Sequence, residues 1–190
     1  AMTQPQKIGI LGAGESGVGA AVLAHLKGFD VWVSDFGPIA DKYKAELDRR
    51  EILWEEKGHS LDKLETAVEV VKSPGIPDTA PVVKHLKEKG IPVISEIEFA
   101  SRYTQAFMIG ITGSNGKTTT TALSTALCRA AGMDAVAAGN ISPATLAVLL
   151  DRVVAGAALP DCWVLELSSF QLETVTDLHA DAAAVLNISD

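Results

Sequence analysis

The chain has 190 residues, 47% of them hydrophobic, with a formal charge of −8 and an isoelectric point near 5.0. That length suits one large or two small domains, and the acidic balance argues against nucleic-acid binding while leaving room for anions held by backbone N–H groups and single lysines. No stretch approaches the roughly 20 consecutive apolar residues of a membrane span, and residues 1–7 contain no apolar signal-peptide region.

Residues 8–11 read as a short apolar strand, 18–26 as a helix and 31–33 as a second strand. Between the first strand and the helix lies Gly12-Ala13-Gly14-Glu15-Ser16-Gly17, a Gly-x-Gly-x-x-Gly pattern, and Asp35 ends the next strand. This is the dinucleotide fingerprint. Its physics selects a diphosphate at a helix start and an acid near a ribose or base, which NAD(P) in an oxidoreductase and a UDP group satisfy equally.

Residues 41–57 are highly charged and expected to be helical at least in part. A strand at 67–71 leads into Ser73-Pro74-Gly75, a turn that would open on the same sheet edge as the glycine loop and Asp35. A helix over 81–89 with Pro81 near its first position, a strand at 91–94 and a short helix or connector at 96–103 complete the first half. Strands alternating with helices predict a parallel sheet covered on both faces. A domain boundary near residues 102–105 divides the chain into 1–104 and 105–190.

The second half restarts with the apolar run 107–109 and then Gly110-Ile111-Thr112-Gly113-Ser114-Asn115-Gly116-Lys117-Thr118-Thr119. Leu123, Ala126, Leu127 and Ala130 follow at helical spacing until Gly132. A glycine-rich turn between strand and helix, ending in Gly-Lys-Thr, is a phosphate cradle. Its N–H groups approach the phosphates, Lys117 reaches the terminal ones, and the Thr118 hydroxyl can bind a phosphate-bound Mg²⁺. The general pattern places its first glycine where Ile111 stands; Gly110 is one residue early, and Gly113 supplies backbone freedom inside the loop instead. A strand at 135–138, a helix at 142–154, and strands at 162–167 and 182–188 are expected beyond it.

Glu166 is an acid inside the apolar run Trp163-Val164-Leu165-Glu166-Leu167. A buried carboxylate needs a cation or hydrogen-bond donors, and a strand-borne acid facing a phosphate loop is where nucleotide enzymes hold Mg²⁺. Cys128 and Cys162 lack metal-like spacing and read as buried, reduced thiols of a cytoplasmic protein. His25, His59, His85 and His179 form no cluster in sequence and read as surface or helix-end residues.

Thr112–Thr118, the run Leu165-Glu166-Leu167-Ser168-Ser169-Phe170-Gln171-Leu172-Glu173, and Gly139-Asn140-Ile141 together resemble the Mur ligases, the ATP-dependent amide-forming enzymes of bacterial peptidoglycan synthesis. The run around Glu166 is most similar to the branch that adds D-glutamate. The resemblance implies an α/β chain in which a Rossmann-like parallel-sheet domain binding UDP precedes the first part of a P-loop ATPase domain. It implies that Glu15 and Ser16 contact the UDP diphosphate, that Asp35 and Phe36 sit by the uridine, and that Ser73 lies in the same site. The backbone of Gly113, Ser114, Asn115, Gly116, Lys117, Thr118 and Thr119 would hold ATP, with Lys117 and Glu166 catalytic, Thr118 and Glu166 on Mg²⁺, and Asn140 and Ser168 between nucleotide and UDP-sugar. The implied substrates are UDP-N-acetylmuramoyl-L-alanine and D-glutamate, handled by a full-length monomer. Ser142 departs from the glycine that often follows Gly-Asn-Ile in the family. The family pattern continues beyond Asp190 with an acid–histidine pair, a Mg²⁺-binding modified lysine and a C-terminal domain. The expectation is therefore an inactive N-terminal fragment, with a nicotinamide-dependent oxidoreductase or a non-catalytic nucleotide-binding module as alternatives.

Overall fold

A computed structural model describes residues 3–103, 107–139, 161–167 and 180–188. The chain divides into two compact units, residues 1–99 and 100–190.

In the first unit, β1 (Lys7–Leu11), β2 (Asp30–Ser34), β3 (Leu53–Glu55), β4 (Glu69–Lys72) and β5 (Val93–Ser95) form one parallel sheet in the order β3-β2-β1-β4-β5. The crossovers carry α1 (Glu15–Leu26), α2 (Asp41–Arg49), α3 (Leu61–Leu64) and α4 (Pro81–Glu88), and α5 (Glu96–Ser101) follows β5. Central β1 is the most deeply buried strand: Ile8, Ile10 and Leu11 have no exposed surface. From Gly17 to Ala24 the helix α1 consists of Gly, Ala, Val and Leu and is buried, as befits a helical segment apolar all round. It starts at Glu15, three residues before the periodicity suggests, because the glycine loop turns directly into it. The charged stretch 41–57 is helical only in α2; β3 then pairs with β2 as an edge strand whose Leu53 is 64% exposed.

In the second unit, β6 (Phe107–Thr112), β7 (Ala135–Gly139), β8 (Cys162–Glu166) and β9 (Ala182–Val185) make a parallel sheet in the order β7-β8-β6-β9. β6 runs three residues beyond the apolar triplet, carrying Gly110 and Ile111 inside the strand, and α6 (Lys117–Ala130) follows the loop. The leucine stripe of α6 marks its helical period but not its packed face. Thr121 and Thr125 are buried, whereas Leu123 and Leu127 are 59% and 62% exposed. The helix expected at 142–154 lies outside the described residues. No helix among the described residues is long and apolar enough to cross a membrane.

Candidate functional site

The carboxyl edge of the first sheet gathers loops far apart in sequence. Gly12 and Gly14 after β1, Asp35 and Phe36 after β2, and Ser73 after β4 line one cavity of about 520 Å³, which His59 joins. Open parallel sheets bind ligands at this edge, where the strand order switches direction. The Asp35 carboxylate stitches the loops together: Oδ2 accepts from Ala13 N and Oδ1 from Gly37 N, each at 2.8 Å. Gly17 is fixed by close approach, since a Cβ there would stand 1.8 Å from the Gly12 carbonyl oxygen. Phe36 is 78% exposed, a large apolar ring at the cavity with no core role. Glu15 and Ser16 open α1 outside the cavity lining, and the Ser16 hydroxyl hydrogen-bonds the buried Glu96.

The second unit presents a loop built around Gly113, whose φ is +137° and whose missing Cβ leaves room for Leu186 and Asn187 at 3.1 Å. Gly110, by contrast, has ordinary strand surroundings. The displaced glycine of the sequence pattern is therefore compensated at Gly113, because the sharp turn begins only after β6 ends. Lys117 Nζ donates to the Gly113 carbonyl at 2.6 Å, folding the cation back over the loop. Ser114, Asn115 and Gly116 complete the turn into α6, with Gly116 at its N-cap and Thr119 in its first turn, and all four face solvent.

Thr118, on the first turn of α6, and Glu166, the last residue of β8, meet across the carboxyl edge: the Thr118 hydroxyl lies 3.3 Å from both oxygens of Glu166. Glu166 is 5% exposed and has no ion-pair partner among the described residues. A buried carboxylate compensated by a single hydroxyl is under-served, and the two oxygen ligands beside a lysine-bearing nest fit Mg²⁺ on a polyphosphate. The nest already shows its preference for oxygen, because Asn187 Oδ1 accepts from Ser114 N at 2.8 Å and Asn115 N at 2.9 Å.

Residues 111–190 match the family model of the Mur ligase middle domain. UDP-N-acetylmuramoylalanine--D-glutamate ligase of Bacteroides fragilis is 51% identical over 184 residues, 97% of this chain and 40% of that relative. Residues 111–190 thus carry a Mur ligase middle domain, and over nearly its whole length the chain is similar to these ligases. The corresponding ligase of Porphyromonas gingivalis is 54% identical over 181 residues, 95% of this chain and 39% of its own length. The chain thus spans about 40% of the length of the curated relatives it matches. Among solved structures, a murein peptide ligase from Psychrobacter arcticus aligns with a TM-score of 0.58 at 23% identity, covering 97% of this chain and 43% of that one. A UDP-N-acetylmuramate:L-alanyl-gamma-D-glutamyl-meso-diaminopimelate ligase from Neisseria aligns at 0.57 and 19%, covering 98% and 61%. At such identities these two speak for the fold.

The structure thus brings Asp35, Phe36 and Ser73 together in one unit and Lys117, Thr118 and Glu166 in the other. Asn140 and Ser168 lie outside the described residues. Sequence reasoning missed His59, which it took for a surface or helix-end residue, and Asn187; their neighbours in sequence carry no motif that singles them out. It also took Cys128 as buried, whereas the residue is only half-buried on α6, its Sγ 3.9 Å from that of the buried Cys162.

Proposed function

We propose that this chain serves ATP-dependent amide-bond formation, joining D-glutamate to UDP-N-acetylmuramoyl-L-alanine. In the reaction, the γ-phosphoryl group of ATP passes to the alanyl carboxylate, ADP leaves, and an acyl phosphate forms. The amine of D-glutamate attacks its carbonyl carbon, loses a proton, and inorganic phosphate departs. Residues 1–104 would supply the UDP end, with Asp35 and Phe36 by the uridine, Ser73 in the same site, and Glu15 and Ser16 by the diphosphate. Residues 105–190 would supply the ATP end, with the backbone of 113–119 and Lys117 on the phosphates, and Asn140 and Ser168 between nucleotide and UDP-sugar. Thr118 and Glu166 would hold Mg²⁺, which neutralises charge on the transferring group.

The observation that carries this proposal is the contact between the exposed Thr118 and the buried Glu166 at the lip of the Lys117 loop. The choice of substrates rests on similarity to the D-glutamate ligases.

The first test is thermal unfolding of the chain with ATP and Mg²⁺. Both together should raise the midpoint, ATP with EDTA should raise it much less, and Glu166→Gln should remove the Mg²⁺ increment without lowering the ligand-free midpoint. The second is product formation by a polypeptide of the relatives' length. Glutamylated UDP-sugar should form from D-glutamate, ATP and Mg²⁺, and Lys117→Ala should abolish it. Preference for L-glutamate, or binding of NADH in place of UDP-sugar by the first unit, would overturn the assignment.

A further inference from the structure

His59 reads in the sequence as a surface or helix-end residue, but its surroundings fix its chemistry. Ser34, fully buried at the end of β2, places Oγ 2.7 Å from Glu55 Oε1 and 2.6 Å from His59 Nδ1. Glu55 also accepts from Ser60 N at 2.6 Å, Ser60 Oγ at 2.5 Å and Trp32 Nε1 at 3.3 Å. Burial works to raise the Glu55 pKa, but these donors outweigh it and hold the carboxyl below the ordinary value, so it is an acceptor only.

The hydroxyl of Ser34 has one proton. Were it given to His59, the Ser34 and Glu55 oxygens would face each other at 2.7 Å with no proton between them. The Gly58 carbonyl, 3.5 Å from Oγ, is too distant to compete for it, so the proton goes to Glu55 and Ser34 Oγ then accepts from His59 Nδ1–H. Burial also lowers the His59 pKa against the pull of Glu55 and Asp35, which keeps the ring neutral at pH 7. A neutral ring protonated at Nδ1 has a bare Nε2.

That Nε2 has no hydrogen-bond partner among the described residues, and the ring lines the cavity. The other cavity carboxylate, Asp35, already takes a backbone N–H on each oxygen. Phe36 lies beside the imidazole, with ring centroids 6.0 Å apart and planes tilted by 41°. The cavity therefore combines an exposed aromatic face with one imidazole acceptor of locked tautomer.

We propose that His59 Nε2 accepts a hydrogen bond from the nucleoside of the ligand, and that Ser34 and Glu55 set the tautomer that makes this possible. The proposal rests on the assignment of this cavity to a uridine nucleotide. The donor chemistry is a ring imide N–H or a sugar hydroxyl, and the two are separable by analogue.

The experiment is long-range ¹H–¹⁵N NMR of the histidine rings in the intact chain near pH 7.5, followed by titration with UDP. His59 should show a protonated Nδ1 and a bare Nε2, and UDP should move the Nε2 resonance together with the amides of Asp35 and Ser73. Either 3-methyl-UDP or 2′,3′-dideoxy-UDP should bind about threefold to tenfold more weakly than UDP, the span of one hydrogen bond. His59→Phe should lose the same factor and His59→Gln should restore part of it, with amide dispersion reporting that each variant is folded. A proton on Nε2 overturns the proposal, as does equal binding of UDP and both analogues with the cavity amides still shifting; the nucleotide assignment survives either result. If UDP leaves those amides unmoved, the nucleotide assignment falls and takes the role of His59 with it, whichever tautomer is found.

Discussion

Asn187 pairs in both directions with the backbone of Asn115: its Oδ1 accepts from Asn115 N at 2.9 Å and its Nδ2 donates to Asn115 O at 3.0 Å. The same Oδ1 takes Ser114 N, and Leu186 N donates to Thr112 O, so the end of β9 clasps the loop along its length. Each bond contributes about 0.5–1.5 kcal/mol net. Asn187→Ala should speed amide hydrogen exchange at Ser114 and Asn115 by about tenfold or more, while exchange in β6 and β8 stays near wild type. Unchanged exchange at both amides would show that the clasp does not order the loop.

The two glycines flanking the strand end should respond oppositely to alanine. Gly113→Ala must adopt φ near +137° and crowd Leu186 and Asn187 at 3.1 Å, a cost of about 1–3 kcal/mol. Gly110 sits in β6 with its nearest potential contacts at 3.6 and 3.7 Å, so Gly110→Ala should be neutral or stabilising by up to about 1 kcal/mol. Urea titration of both variants measures this. Equal destabilisation would mean that Gly110, in spite of its strand geometry, is a working part of the loop.

What could be read from the residues, and what could not, follows how each feature is made. The loop at 110–119 and Glu166 announce themselves locally, through glycine spacing and an acid in an apolar run. The parallel sheet of the first unit is legible from alternating strand and helix signals. β3 is not, because a three-residue edge strand with Leu53 exposed has no apolar signature, and it is defined only by its pairing with β2. The face of α6 is misjudged for a related reason. Period locates a helix, but which side packs depends on the sheet beneath, and here threonines face it. Ser34–His59 and Asn115–Asn187 contacts join residues 25 and 72 apart, so no short pattern could display them.

The two thiols should differ sharply in reactivity. Burial first, and then contact with Cys128, pushes the Cys162 thiol up to about 11, so at pH 7 roughly one part in ten thousand is thiolate. Cys128 is half-buried. A disulfide-exchange reagent such as DTNB should label one thiol per folded chain, at Cys128, and the second only on unfolding. Peptide mapping of the labelled chain checks the site. Fast labelling of both would show that α6 opens from β8 readily.

Glu96 should impose a pH dependence on the stability of the first unit. The residue is 4% exposed, and its Oε2 has no hydrogen-bond partner among the described residues. Burial raises its pKa above the ordinary 4.5; the Ser16 hydroxyl opposes the rise and Glu15 reinforces it. A carboxyl whose folded pKa is raised contributes most below the unfolded value, and that contribution drains away as pH climbs through the folded value. Glu96→Gln carries no titrating group, so the difference in unfolding midpoint, variant minus wild type, should be flat below about pH 4.5 and become increasingly positive as pH climbs from there through the folded value. The carboxylates held low elsewhere in the unit, at Glu46, Glu55, Glu56 and Glu65, act alike in both proteins and cancel. Thermal unfolding of the pair from pH 4 to 8 reads the difference directly. A difference that does not change with pH would mean that Glu96 ionises as easily in the folded chain as in the unfolded one, and that a donor or water inside the unit completes its second oxygen.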